Sequence, residues 1–131
     1  MVAAVRRIPV IGNGDVLSTT DARDMLARTG CAAIMIGRGM LRNPWLIRDV
    51  ARDLQGAPPL PPPTRAEQIA FLSTHVEHML ELYGPRYGPV LFRKWIPQYV
   101  RKLLPNREEM VRWLRFTDAD ELRHAVAALP C

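Results

Sequence analysis

The sequence predicts an α/β fold in which a parallel strand–helix–strand unit is followed by a small all-α helical bundle. Two short apolar runs, at residues 8–11 and 33–36, each end in a polar turn that contains glycine. Runs this short, bounded by glycine and rich in branched aliphatic residues, are typical of strands buried on both faces. After a proline-rich segment at residues 55–63, the chain has the apolar spacing of amphipathic helices.

A helix is predicted between the two apolar runs. Ser18, Thr19 or Thr20 can cap its start, and Gly30 stands where a helix ends. Since a strand–helix–strand unit places its two strands parallel, we expect both glycine turns at the same edge of the sheet.

The two turns have the residue types of an anion-binding site. The first reads Gly-Asn-Gly-Asp at residues 12–15, and the second reads Gly-Arg-Gly at residues 37–39. Glycine lets backbone N–H groups converge on an anion, and Arg38 adds a fixed positive charge. Asn13 and Asp15 either set the turn geometry or bond a ligand. Either turn alone could be a plain connection, but two of them one strand–helix repeat apart favour a phosphate site.

These motifs resemble those of a known family. Ile-Pro-Val-Ile-Gly-Asn-Gly-Asp at residues 8–15, Met-Ile-Gly-Arg-Gly at 35–39 and Asn-Pro-Trp at 43–45 are similar to the last two barrel strands of the tRNA-dihydrouridine synthases. The resemblance implies an FMN-binding TIM barrel followed by a helical domain, with NADPH as the reductant of the flavin. In that family the two turns hold the phosphate end of FMN. The resemblance assigns cofactor binding to Asn13, Gly14, Asp15, Gly37 and Arg38.

The chain is expected to be the C-terminal portion of a larger enzyme, because a TIM barrel needs about 250 residues. We predict that residues 1–56 form the C-terminal part of the barrel, 57–63 a proline-rich linker and 64–131 a helical tRNA-binding domain. The family places its catalytic cysteine on an earlier loop, and neither Cys31 nor Cys131 has a matching context. No catalytic residue is therefore assigned, and the 131-residue chain alone is expected to be inactive.

The spacing of apolar residues predicts four helices after the linker, over residues 64–83, 89–104, 106–116 and 117–129. The first begins with a capping box at Thr64, and the last two begin at residues suited to capping. These helices are expected to pack as a small bundle.

The predicted second helix of the bundle is basic and aromatic, and Pro97 inside it should kink it or remove a hydrogen bond. Residues 84–115 contain eight Lys or Arg and two Glu. Such a surface favours RNA binding, since cations bind phosphates and exposed rings stack on bases. Alternatively, Trp95 and Tyr99 could be core residues. An Arg-Lys pair followed by an aromatic residue recurs here in the synthase family. The resemblance assigns RNA contacts to Arg93, Lys94, Tyr99, Arg101 and Lys102.

Composition narrows the class of protein without identifying a partner. The net charge of +5 is compatible with an anionic partner such as tRNA. No stretch is apolar and long enough to span a membrane, so the default location is the cytoplasm. His75, His78 and Glu81 could share a helix face, but no fourth ligand is apparent and no metal site is assigned.

Two alternatives stay open. The chain could belong to another FMN-dependent barrel oxidoreductase, which would share the phosphate turns but would not need the basic helices. It could also be a non-catalytic RNA-binding module, in which case residues 64–131 would bind tRNA alone with a steep salt dependence.

Overall fold

The computed structural model describes residues 7–130 of the chain. The chain divides into two compact units, Met1–Pro61 and Pro62–Cys131, and this division falls inside the proline-rich segment. Cys131 lies outside the described residues. Within residues 7–130, no helix combines the length and apolarity that crossing a membrane requires.

The first unit is built on a two-stranded parallel sheet. Strand β1, Ile11–Asn13, pairs with strand β2, Ala33–Met35, and Gly12 lies opposite Ile34. Helix α1, Thr19–Thr29, connects the two strands. The parallel pairing predicted from the strand–helix–strand pattern is confirmed.

The ends of α1 are set by local hydrogen bonds. The Asp21 N–H donates to the Ser18 hydroxyl oxygen at 3.1 Å, so Ser18 is the residue that caps the helix. Gly30 has the left-handed conformation, with φ 66°, and its N–H donates to the Leu26 carbonyl. Both ends follow the predicted signals.

The prediction that both strands are buried on both faces is wrong for this chain. Strand β1 begins at Ile11 instead of residue 8, and the Ile11 and Met35 side chains are 61% and 55% exposed. Because side chains alternate along a strand, Ile34 points to the opposite face and packs on the small core of this unit. The buried members of that core are Val16, Ala22, Leu46 and Val50.

Two further helices complete the first unit. Helix α2, Arg38–Arg42, follows β2 directly, and helix α3 spans Leu46–Leu54. Cys31, at the start of the second strand segment, is buried as a small apolar side chain and is a free thiol.

The second unit begins with the long helix α4, Arg65–Phe92. The predicted capping box is confirmed: the Glu67 N–H donates to the Thr64 hydroxyl, and the Thr64 N–H donates to the Glu67 carboxylate. Gly84 interrupts the helix with φ 75°, at the point where a helix end was predicted. The chain then resumes a helical course at once, up to Phe92.

The predicted helix over residues 89–104 is wrong. Helix α4 ends at Phe92, and the chain continues in two short 3₁₀ turns, Arg93–Trp95 and Val100–Lys102. Pro97 lacks the N–H that an α-helix would bond to the Arg93 carbonyl, and that carbonyl accepts from the Ile96 N–H instead. Most backbone bonds here span three residues instead of four, such as the one from the Gln98 N–H to the Trp95 carbonyl.

Helices α5, Arg107–Trp113, and α6, Ala119–Ala127, end the described chain. Asn106 caps α5 as predicted, and Asp118, the residue after the predicted Thr117, caps α6. Both helices end two or three residues earlier than their apolar spacing suggested. The largest fully buried side chains of this unit are Trp113, Phe92, Leu72, Ile96, Leu103 and Leu122.

Candidate functional site

The two glycine turns of the first unit meet around one small pocket of about 280 Å³. All five residues predicted to bind the cofactor phosphate line it. The full lining is Asn13, Gly14, Asp15, Val16, Met35, Gly37, Arg38 and Gly39. The parallel pairing of β1 and β2 brings the turns together, because both follow the carboxyl ends of their strands.

The first turn depends on positive backbone angles. Gly14 has φ 147° and Asp15 has φ 36°, so two successive residues leave the range that L-residues prefer. Glycine adopts the first of these angles without strain, whereas any side chain there would be strained. The turn thus leads the chain sharply away from β1, and its backbone borders the pocket.

The second turn depends on a close approach of two backbone segments. A Cβ atom at Gly39 would lie 2.2 Å from the Val16 carbonyl oxygen and 2.8 Å from the Leu46 Cδ2 atom. Glycine is therefore required if α2 is to pack against the segment that follows the first turn. A Cβ atom at Gly37 would meet nothing within 4 Å, so that residue borders open space.

Arg38 and Asp15 are the two charged residues of the pocket lining, and their side chains form an ion pair. The guanidinium donates to the Asp15 carboxylate, and the two side chains are 78% and 73% exposed. Since exposed ion pairs contribute little stability, the guanidinium can exchange this partner for a phosphate, which accepts two parallel hydrogen bonds. The pocket therefore has one cationic donor, Arg38, which stands beside one carboxylate, Asp15.

The basic segment of the second unit is less uniform than its sequence suggests. Lys94, Arg101 and Lys102 are exposed, whereas Arg93 is half-buried. The Arg93 guanidinium donates to the Phe116 carbonyl at 3.0 and 3.1 Å. These bonds tie the end of α4 to the chain after α5, so they give Arg93 a role inside the fold.

Tyr99 is also part of the fold, since it is only 6% exposed. Its hydroxyl oxygen lies 2.7 Å from His75 Nδ1, and the two rings are stacked. Burial raises the pKa of Tyr99. Burial is also the main cause that lowers the pKa of His75, and the charges of His78 and Lys94 lower it further. At neutral pH a protonated Tyr99 hydroxyl and a neutral His75 ring therefore share this hydrogen bond, and the His75 tautomer decides which of them donates.

Trp95 completes this aromatic cluster at the edge of the core. Its ring centroid lies 4.9 Å from that of His75 in an edge-to-face arrangement, and the Lys94 ammonium lies 5.1 Å from the Trp95 ring centroid. The alternative that Trp95 and Tyr99 belong to the core is confirmed. The Tyr99 ring is buried in the core, and the Trp95 ring is partly buried and packs against it. Among residues 7–130, no group of three or more His, Cys, Asp or Glu side chains is arranged to hold a metal ion.

Sequence reasoning missed three residues of the pocket, Val16, Met35 and Gly39. Gly39 stands in the quoted Gly-Arg-Gly motif, so the repeated glycine was a usable signal for it. Met35 opens the quoted Met-Ile-Gly-Arg-Gly motif, but it is an apolar residue beside a turn, as is Val16. Such a residue has the same sequence pattern whether it lines a pocket or a core.

Comparison with known proteins gives consistent matches. A family model described as dihydrouridine synthase matches residues 1–127. tRNA-dihydrouridine synthase B of Escherichia coli (strain K12) is 36% identical over 121 residues, which cover 92% of this chain and 38% of that protein. A probable tRNA-dihydrouridine synthase of Mycobacterium leprae is 35% identical over 123 residues, covering 94% of this chain and 29% of the relative. One of Rickettsia prowazekii is 36% identical over 102 residues, covering 78% and 31% respectively.

Proposed function

The chain belongs to the dihydrouridine synthase family, and on this premise we propose that it serves the FMN- and NADPH-dependent reduction of uridine to 5,6-dihydrouridine in tRNA. The chain spans 38% of the length of its E. coli relative, so the proposed activity is that of the whole enzyme. The observation that supports the proposal is that both glycine turns line the same pocket. Membership in this family removes the alternative of another FMN-dependent barrel oxidoreductase.

We propose that the pocket takes the phosphate of FMN, within a part of a TIM barrel formed by residues 1–56. Arg38 would bind the phosphate through its guanidinium, while Asn13, Gly14 and Gly37 would contribute amide and backbone N–H donors. When bound, FMN supplies the hydride chemistry that no side chain can perform. No catalytic residue is proposed in this chain.

Asp15 contributes through Arg38 in this proposal. A carboxylate cannot donate to a phosphate dianion, but its ion pair with Arg38 aims the guanidinium at the pocket before the phosphate arrives. The role of Asp15 is then to position the donor, and its own backbone N–H remains available to the ligand.

The second unit is proposed to bind tRNA, with residues 57–63 as the linker and 64–131 as the helical domain. The exposed cations Lys94, Arg101 and Lys102 are the proposed phosphate contacts. Arg93 and Tyr99 are proposed to act indirectly, because their polar atoms are engaged inside the unit. An enzyme that acts on tRNA is proposed to work in the cytoplasm.

A titration with FMN and with riboflavin tests the cofactor proposal, because the two ligands differ only in the phosphate. Backbone amide signals of the labelled chain would be followed by NMR, and we expect FMN but not riboflavin to shift those of Gly14 and Gly37. Arg38→Gln should abolish the shifts, whereas Arg28→Gln, an exposed arginine in the last turn of α1, should leave them unchanged. Equal shifts with riboflavin, or none with FMN while the fold is intact, would contradict the proposal.

The RNA part of the proposal has its own test. Affinity of the chain for an unmodified tRNA transcript should fall steeply with salt, and neutralising Lys94, Arg101 and Lys102 together should reduce the slope of log K against log salt by about 2. RNA binding without any response to FMN would instead favour a non-catalytic RNA-binding module.

A further inference from the structure

One exposed strip of the second unit ends at Lys94, and its other residues have no role in the site described above. We call it the Tyr87 strip, and it consists of Arg86, Tyr87, Val90, Leu91 and Lys94. Tyr87 is 60% exposed, and Val90 and Leu91 are each 40% exposed. Residues three, four and seven apart share one face of a helix, so these side chains follow one another along the surface.

The opposite face of the same segment is buried. Gly88, Pro89 and Phe92 pack inward, and a Cβ atom at Gly88 would come within 2.8 Å of the Leu80 side chain. Arg93 has right-handed helical angles, so the helical course continues from Phe92 into the 3₁₀ turn that contains Lys94. The strip is thus held in place by the packing beneath it.

Tyr87 and Arg86 form a cation–π pair on this surface. The Arg86 guanidinium carbon lies 5.6 Å from the Tyr87 ring centroid. An exposed ring beside a guanidinium plane is the arrangement on which unpaired nucleic acid bases stack.

The sequence that contains the strip is basic. Residues 82–107 contain six Lys or Arg and no Asp or Glu. A surface that combines apolar stacking area with positive charge complements a polyanion that carries flat bases.

We propose that the Tyr87 strip binds an unpaired nucleotide of the RNA substrate. One base stacks on the Tyr87 ring beside the Arg86 guanidinium, and Lys94 binds the phosphate of a neighbouring nucleotide. Tyr87 and Lys94 are separated by two helical turns, about 10 Å. This inference rests on the proposed tRNA function and adds to it the recognition of a single-stranded region.

Binding to an unmodified tRNA transcript and to a short oligouridylate, measured by fluorescence anisotropy at several salt concentrations, tests this assignment. We expect Tyr87→Ala to weaken binding of both RNAs about fivefold or more, without changing the slope of log K against log salt. Tyr87→Phe should bind like the unmodified chain, because the ring is kept. Lys94→Gln should reduce the slope by about 0.7, the value for one single-strand phosphate contact.

Leu82→Ala is the matched control, because Leu82 is 72% exposed on α4 but lies outside the strip. It should leave both affinities unchanged, and circular dichroism should show that every variant keeps its helices. Blunt duplex RNA should not distinguish Tyr87→Ala from the unmodified chain, since it offers no unpaired base.

Three results would overturn the inference. If Tyr87→Ala binds both RNAs with full affinity while binding remains salt-dependent, the strip is not an RNA contact and the proposed function stands. If the chain binds neither RNA at any salt concentration, both fall. If Tyr87→Ala abolishes self-association in sedimentation but leaves RNA affinity unchanged, the strip is a contact between copies of the chain.

Discussion

Gly39→Ala should disrupt the first unit more than any other single methyl group placed in its turns. The added Cβ would lie 2.2 Å from the Val16 carbonyl oxygen, more than an ångström closer than ordinary van der Waals contact. The obstacle is a backbone atom of Val16, which is itself buried, so it cannot rotate away as a side chain could. Either α2 or the segment after the first turn has to move.

The expected cost follows from the nature of the obstacle. Overpacking typically costs about 1–3 kcal/mol of the free energy of unfolding, and occasionally more. We expect Gly39→Ala to cost about 3 kcal/mol or more. Gly12→Ala is the matched comparison, because its Cβ would meet two sulfur atoms at 2.8 Å, Met25 Sδ and Cys31 Sγ. Side-chain sulfurs can shift by changing rotamer, so we expect about 1 kcal/mol there.

Hydrogen exchange of the full chain measures this effect without a ligand. Opening of the sheet should become on the order of a hundredfold more frequent in Gly39→Ala, as seen at the amides of β2. The amides of α4 in the second unit serve as the internal control and should exchange unchanged. The claim that this close approach holds the two turns together would be refuted if the β2 amides of Gly39→Ala exchanged at the wild-type rate. It would also be refuted if Gly12→Ala increased their exchange rate more than Gly39→Ala does.

Three further predictions concern the second unit. Tyr99→Phe leaves His75 Nδ1 without its partner, so the free energy of unfolding in urea should fall by about 1–3 kcal/mol, and an unchanged midpoint would contradict the hydrogen bond. Because folding lowers the pKa of His75, the free energy of unfolding is full above pH 6.5, where the ring is neutral, and should fall as pH drops below 6.5. If the difference in free energy of unfolding between wild type and His75→Gln does not change with pH, this reasoning is wrong. Arg93→Gln should cost about 1.5–3 kcal/mol in thermal unfolding through its lost bonds to the Phe116 carbonyl, and rescue by Arg93→Lys would indicate that the forked geometry is unimportant.

Features set by a few neighbouring residues could be predicted from the sequence. The capping residues Ser18, Thr64 and Asn106 each bond an N–H three residues away, so the sequence contains both partners. The meeting of the two glycine turns also follows from a local rule, because a right-handed strand–helix–strand unit leaves little choice in where its strands end.

Features decided by distant packing could not be predicted in the same way. Tyr99 stands in a basic stretch that reads as a surface, yet its ring is buried against His75, which lies on α4. The burial of a strand face likewise depends on what covers it: the exposed Met35 stands between Ile34 and Ile36, which pack against the small core. Glycine is needed at position 39 because of the Val16 carbonyl oxygen. Val16 precedes α1 in the sequence and position 39 follows it, so no local pattern joins the two.

The central claim is that this chain supplies the flavin-phosphate turns and the RNA-binding unit of a tRNA-dihydrouridine synthase. A chimaeric enzyme would test this claim most directly. In E. coli tRNA-dihydrouridine synthase B, the matching 121-residue stretch would be replaced by this chain, and the dihydrouridine content of tRNA would be measured by mass spectrometry in cells lacking the native enzyme. We predict that the chimaera purifies with flavin and restores dihydrouridine, and that Arg38→Gln lowers its flavin content. A soluble, folded chimaera that retains neither flavin nor activity would contradict the claim.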